Sequence, residues 1–117
     1  MEISFLLDFY GDMLTEKQRS MVDYYYNEDL SLAEIAENEG ITRQGVRDSI
    51  KRAEAQLLEM EERLSLAARF RRMQEELLTV QENARMLRTV NDRNGRIPEI
   101  EECAAKIAAA ADRMAEA

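Results

Sequence analysis

Between Leu30 and Ile50 the chain carries punctuation that leaves little choice of backbone path. Ser31, followed three residues later by Glu34, forms a capping box, the reciprocal pair that satisfies free amides at a helix start. Leu30 and Ile35 occupy the flanking staple positions that fix how the chain enters that helix. Gly40 supplies the left-handed residue that stops it. Ile41 and Thr42 restart the chain, with Thr42 as the next cap and Ile41 partnering Val46 across the turn. Two short helices joined by a glycine-containing turn are a helix-turn-helix, whose second helix offers its first residues to a nucleic-acid groove.

The remainder is helical by the same logic. Phe5, Leu6, Phe9, Tyr10, Met13 and Leu14 recur at three- and four-residue spacing, an amphipathic first helix with Gly11 inside it. Thr15 and Gln18 form a second capping box, opening a helix with Gln18, Met21, Val22 and Tyr25 on its inner face. That helix frays near Asn27, and the motif helices follow at Leu32 to Glu39 and from Arg43 onward. The fourth helix has the seam Val46, Ile50, Ala53, Leu57, Met60 and Leu64. A second seam runs through Leu66, Phe70, Met73, Leu77, Val80, Ala84 and Leu87, out of phase with the first. The chain therefore bends, restarts or changes partner near Ser65.

This divides the chain into a helix-turn-helix domain, residues 1–64, and a C-terminal appendage, residues 65–117. A turn cluster from Asn91 to Arg96 and Pro98 at a helix start make the appendage a helical hairpin. Its last helix has Ile100, Cys103, Ile107, Ala110 and Met114 inward, Cys103 acting as a small buried hydrophobe. A hairpin this rich in alanine buries little and must pack on the first domain or on another chain. A homodimer is the economical solution. The fold class is all-α.

Composition narrows the function. No apolar window spans a membrane, and the start has no basic n-region, so a cytoplasmic location is expected. There is no histidine and a single cysteine, which removes disulfides, the usual zinc constellations and the commonest general base. No glycine-rich phosphate loop appears. The expectation is a protein that is not an enzyme and needs no cofactor or metal.

The net charge of −8 repels nucleic acid at long range, so any such contact needs a local basic face. Arg43, Arg47 and Lys51 follow one another at four-residue spacing on the exposed side of the fourth helix, with Gln44 beside them. Arg and Gln suit bidentate contact with guanine and adenine edges. Arg52 lies further round, within reach of a phosphate. Thr42, Arg43, Gln44, Arg47, Lys51 and Arg52 are the candidate nucleic-acid-binding residues. The same strip is also read as an ordinary solvated face interrupted by Asp48, and both readings stand at this point. Two further features have duller readings beside the sharper ones. Arg69, Arg71, Arg72, Arg85, Arg88, Arg93 and Arg96 extend an RNA-binding surface or pair with Glu75, Glu76 and Glu82. Tyr24, Tyr25 and Tyr26 stack on bases or, with Tyr25 in the core, simply flank their helix.

The segment from Asp8 to Leu57, with LTEKQ, the YYY run, DLSLAEIA and TRQGVRDSIKR, looks like the YlxM-type helix-turn-helix family of Firmicutes and their relatives. Its motif also resembles the promoter-reading fourth region of sigma factors. The resemblance implies an accessory or regulatory protein of the signal recognition particle pathway, with the particle's protein or RNA among its partners. It places the contact positions at Arg43, Gln44, Arg47 and Lys51. One departure is Gly45, where such helices usually carry alanine or serine. A DNA-binding transcriptional regulator unrelated to the particle is the other reading.

Overall fold

In the computed structural model, which describes residues 2–116, the elements are α1 (Ile3–Tyr10), a 3-10 turn (Gly11–Met13), α2 (Glu16–Tyr26), α3 (Leu32–Glu39), α4 (Arg43–Leu64), α5 (Leu66–Arg93) and α6 (Pro98–Glu116). No strand occurs among the described residues. The chain divides into two compact units between Ala68 and Arg69.

In the first unit α4 is the spine. Its N-terminal half contributes Val46 and Ile50 to a cluster with Met21, Ile35 and Ala36, against which Tyr24, Leu30 and Leu32 pack. Its C-terminal half contributes Ala53 and Leu57 to a second cluster with Leu6, Leu7, Tyr10, Leu14, Val22 and Ala67. The four-and-three seam of α4 thus faces two different neighbours in succession, α2–α3 and then α1–α2. The seam closes earlier than its periodicity suggests: Met60 is partly buried and Leu64 is 45% exposed.

Two details of the first unit differ from the sequence expectation. Gly11 ends α1 rather than lying inside it, and the tighter 3-10 turn swings Met13 into solvent. Tyr25 is exposed and stacks edge-on against Tyr26, while Tyr24 takes the place at the core. Three consecutive tyrosines place only one ring inward at 100° per residue, and burial of Met21 and Val22 fixes which one.

The helix restarts at Ser65, which adopts a left-handed conformation with φ 54°. The free amides at the start of α5 are met by side chains from α4 and α1. The Glu61 carboxylate accepts from the Ala67 and Ala68 N–H groups, each at 3.0 Å. The Tyr10 hydroxyl donates to Glu61 Oε1 at 2.6 Å and accepts from the Leu66 N–H at 3.1 Å. The Tyr10 hydroxyl, the α5 amides and their dipole hold the Glu61 carboxyl below its usual range. Burial first, and then this bond, raise the Tyr10 hydroxyl above its ordinary value.

The second unit holds the rest of α5 and α6 as an antiparallel hairpin, tied by Arg88 to Glu101 at 2.7 Å and by Gln81 to Asp112 at 3.1 Å. Asn91 fixes its turn: the side-chain amide both donates to the Ile97 carbonyl and accepts from the Ile97 N–H, each at 2.9 Å. The inner positions are Ala84, Asn91, Ala104 and Ala111. Of the residues expected on the two inner faces, Ala84 alone is buried, and the rest are corrected. Ala84 on α5 and Ala104 and Ala111 on α6 are small enough for the helices to pack on them, which leaves Ile107, Met114 and Cys103 on exposed flanks. Most of the α5 seam is likewise solvent-facing, including Met73, Val80 and Leu87. The arginine pairs also differ from expectation. Arg88 pairs with Glu101 and Arg96 with Asp92, while Arg69 and Arg72 have no ion-pair partner among the described residues. At Arg72 and Glu76 the order of charges along the helix is the weaker one for such a pair.

Candidate nucleic-acid interface

The motif is assembled from local bonds. Ser31 Oγ accepts from the Glu34 N–H at 3.1 Å, and Glu34 Oε1 accepts from the Ser31 N–H at 3.2 Å. Gly40 closes α3 at φ 68°, and the N–H groups of Gly40 and Ile41 both reach the Ala36 carbonyl. Thr42 Oγ1 then accepts from the Gly45 N–H at 3.0 Å and caps α4. A Cβ at Gly45 would meet Thr42 Oγ1 at 3.2 Å, a tight approach that would press on this cap. Ile41 is 40% exposed, so the α4 entry depends more on the cap than on an apolar staple.

Val46 and Ile50 are buried, and that orientation turns Arg43, Gln44, Arg47, Lys51 and Arg52 outward. Arg43, Gln44 and Arg47 share one wall of an open cleft of about 530 Å³. Tyr25, Ser31, Leu32 and Ala33 form its other side. Lys51 and Arg52 do not line the cleft. Lys51 continues the strip about 6 Å further along the axis, and Arg52 lies about 100° round from it.

The side chains differ in their freedom. Gln44 Nε2 donates to Asp48 Oδ1 at 2.9 Å, so this amide must break a bond before it contacts anything else through that group. The same bond occupies the carboxylate that interrupts the basic strip. Arg43, Arg47, Lys51 and Arg52 have no ion-pair partner among the described residues. Between positions 43 and 52 the sequence has four cations and one carboxylate, a local excess of positive charge on an acidic chain. The unsatisfied first-turn amides of α4 add the positive end of its dipole at Arg43 and Gln44. Chemically, the guanidinium and ammonium groups here are donors able to meet anionic oxygens, and the Gln44 amide can both donate and accept. The cleft's far wall is not legible in the sequence pattern, which puts Tyr25 in the core.

Comparison with known proteins agrees with the architecture. The profile of the family described as "Putative helix-turn-helix protein, YlxM / p13 like" matches residues 1–96. A UPF0122 protein of Desulforamulus reducens is 47% identical over 79 residues, 68% of each chain. One from Halalkalibacterium halodurans is 49% identical over 82 residues, 70% of this chain and 75% of the relative. One from Clostridium botulinum is 43% identical over 93 residues, 80% of this chain and 85% of the relative. The family match extends past the helix-turn-helix and through most of α5, well beyond the Asp8–Leu57 segment that carried the resemblance.

Proposed function

We propose that this chain, which belongs to the YlxM/p13-like helix-turn-helix family, is a nucleic-acid-binding accessory protein that grips a polyanion with the N-terminal half of α4. On this reading it is a cytoplasmic, non-enzymatic regulator, and its setting is the signal recognition particle pathway, with the particle's RNA as the polyanion. The observation that carries the reading is the state of the cations. Arg43, Arg47, Lys51 and Arg52 have no carboxylate partner among the described residues; Arg69 and Arg72 share that state, but the four on α4 crowd into ten positions with Asp48 as the single carboxylate between them. In a chain of net charge −8, unpaired cations gathered at one end of one helix are suited to a partner outside the chain. The particle setting rests on the sequence resemblance. The functional unit is a homodimer, which gives the poorly filled hairpin something to pack against.

A second reading, a DNA-binding transcriptional regulator, is favoured by one observation: Arg43, Gln44 and Arg47 stand together on the cleft wall as a base-reading set would.

The test is equilibrium binding of the full chain to particle RNA, a scrambled RNA and random duplex DNA across a salt series. The wild type prefers the particle RNA, and Arg43→Ala/Arg47→Ala lowers the salt slope by roughly the 1.4 expected for two lost contacts to a single strand. Unchanged binding by the double variant refutes the α4 interface. Binding to duplex DNA alone selects the regulator reading.

A further inference from the structure

The helix-turn-helix leaves the hairpin unexplained, and the hairpin carries an open apolar groove of its own. A groove of about 810 Å³ runs between its helices, floored by Met73, Leu77 and Val80 of α5 and by Ala111 and Met114 of α6. Met73 is 59% exposed, Met114 57% and Val80 43%. Neither hydrophobic core cluster includes a residue of the hairpin, whose buried positions are three alanines and Asn91. Apolar side chains of this size gathered along one groove are an uncovered interface rather than scattered surface residues.

The charges on the groove decide what covers it. Arg69 and Arg72 line its N-terminal part, and Glu75 and Glu76 follow one turn later. None of the four has an ion-pair partner among the described residues. Two positive charges followed by two negative ones along a helix are complementary to the same run read backwards. A two-fold axis performs that reversal.

We infer that the α5–α6 groove is filled by the same groove of a second copy, the two α5 helices crossing antiparallel about a two-fold axis near Met73 and Gln74. Arg69 and Arg72 of one copy then face the acidic pair of the other, and the methionine, leucine and valine floors meet between them. Methionine suits such a self-contact because its flexible thioether adapts to its own image. This names the surface for the homodimer of the preceding reading and rests on that part of it alone. The nucleic-acid contact on α4 is independent of it.

Sedimentation velocity of the full chain without nucleic acid tests the inference. The wild type sediments at micromolar concentration with about twice the 13.5 kDa of one chain. The all-acidic variant Arg69→Glu/Arg72→Glu and the all-basic variant Glu75→Arg/Glu76→Arg are each monomeric, with helical circular dichroism retained. Mixed one to one, they form a heterodimer of wild-type mass. Recovery on mixing shows that neither variant was simply unfolded. A monomeric wild type, which leaves the groove to a helix of some other protein, overturns the inference. So do charge variants that dimerise as the wild type does, an equimolar mixture that stays monomeric, or an assembly larger than two. Arg43→Ala/Arg47→Ala dimerises normally, so loss of nucleic-acid binding and loss of the dimer are separately visible.

Discussion

Replacing Tyr10 with phenylalanine removes one oxygen and leaves in place the ring that fills the core between α1 and α4. The oxygen has two partners, the Glu61 carboxylate at 2.6 Å and the Leu66 N–H at 3.1 Å, and Tyr10 is 1% exposed. Removing a buried hydroxyl that both donates and accepts destabilises by about 2 kcal/mol. For a chain of this length that corresponds to a fall in Tm of about 8 °C, at roughly 4 °C per kcal/mol. Urea and thermal unfolding followed by circular dichroism at neutral pH measure it. The pH dependence gives a second check. The carboxyl of Glu61 titrates below its ordinary range in the folded chain, chiefly because Tyr10 donates to it. A folded pKa lowered in this way adds stability above the unfolded pKa, and that stability is lost as pH falls through the folded value. In Tyr10→Phe the main cause of the lowering is gone. The gap between the two proteins is therefore widest near neutrality and narrows as the medium is acidified through the carboxylate range. A variant within about 0.5 kcal/mol of wild type refutes the clamp. A gap that stays constant from neutral pH down to about pH 3 refutes the role of Glu61 in it.

Gly40→Ala meets no steric obstacle, since nothing lies within 4 Å of the new Cβ, yet it forces alanine to φ 68°. A loss of about 1–2 kcal/mol in urea unfolding is expected, and no loss contradicts the left-handed turn. Thr42→Ala removes the α4 cap and costs about 1 kcal/mol, while Thr42→Ser retains most of it because the hydroxyl is kept. Asn91→Ala strips both side-chain bonds to Ile97 and leaves those groups half-buried without partners. Amide exchange accelerates through the α5–α6 turn by the equivalent of about 1–3 kcal/mol, while exchange in α4 stays as in the wild type.

What was legible in the sequence was local. Ser31 with Glu34 and Thr15 with Gln18 identify their caps because both partners lie within one helical turn, and each bond forms as the spacing requires. Val46, Ile50, Ala53 and Leu57 were legible because a buried face repeats along its helix. The Tyr10–Glu61 contact was not, since it joins residues 51 apart and neither partner stands out in its own segment. The second seam misled for a different reason. Periodicity reveals an apolar face without saying what covers it, and in the hairpin Ala84 is the one seam residue that is buried, while the other inward positions went to Asn91, Ala104 and Ala111, which carry almost no hydrophobic signal. At the candidate interface the cations were legible by type and spacing. The bond from Gln44 to Asp48 and the wall supplied by Tyr25 depend on side-chain placement and were not.

Along α4 the residues that hold the fold and the residues that meet the outside are interleaved but never shared: Val46, Ile50, Ala53 and Leu57 are buried, while Arg43, Gln44, Arg47 and Lys51 are exposed. Selection can therefore rewrite the outward set one residue at a time without disturbing the scaffold. A relative could acquire a different target on an unchanged frame, and an experimenter could transplant the outward residues of one family member onto another.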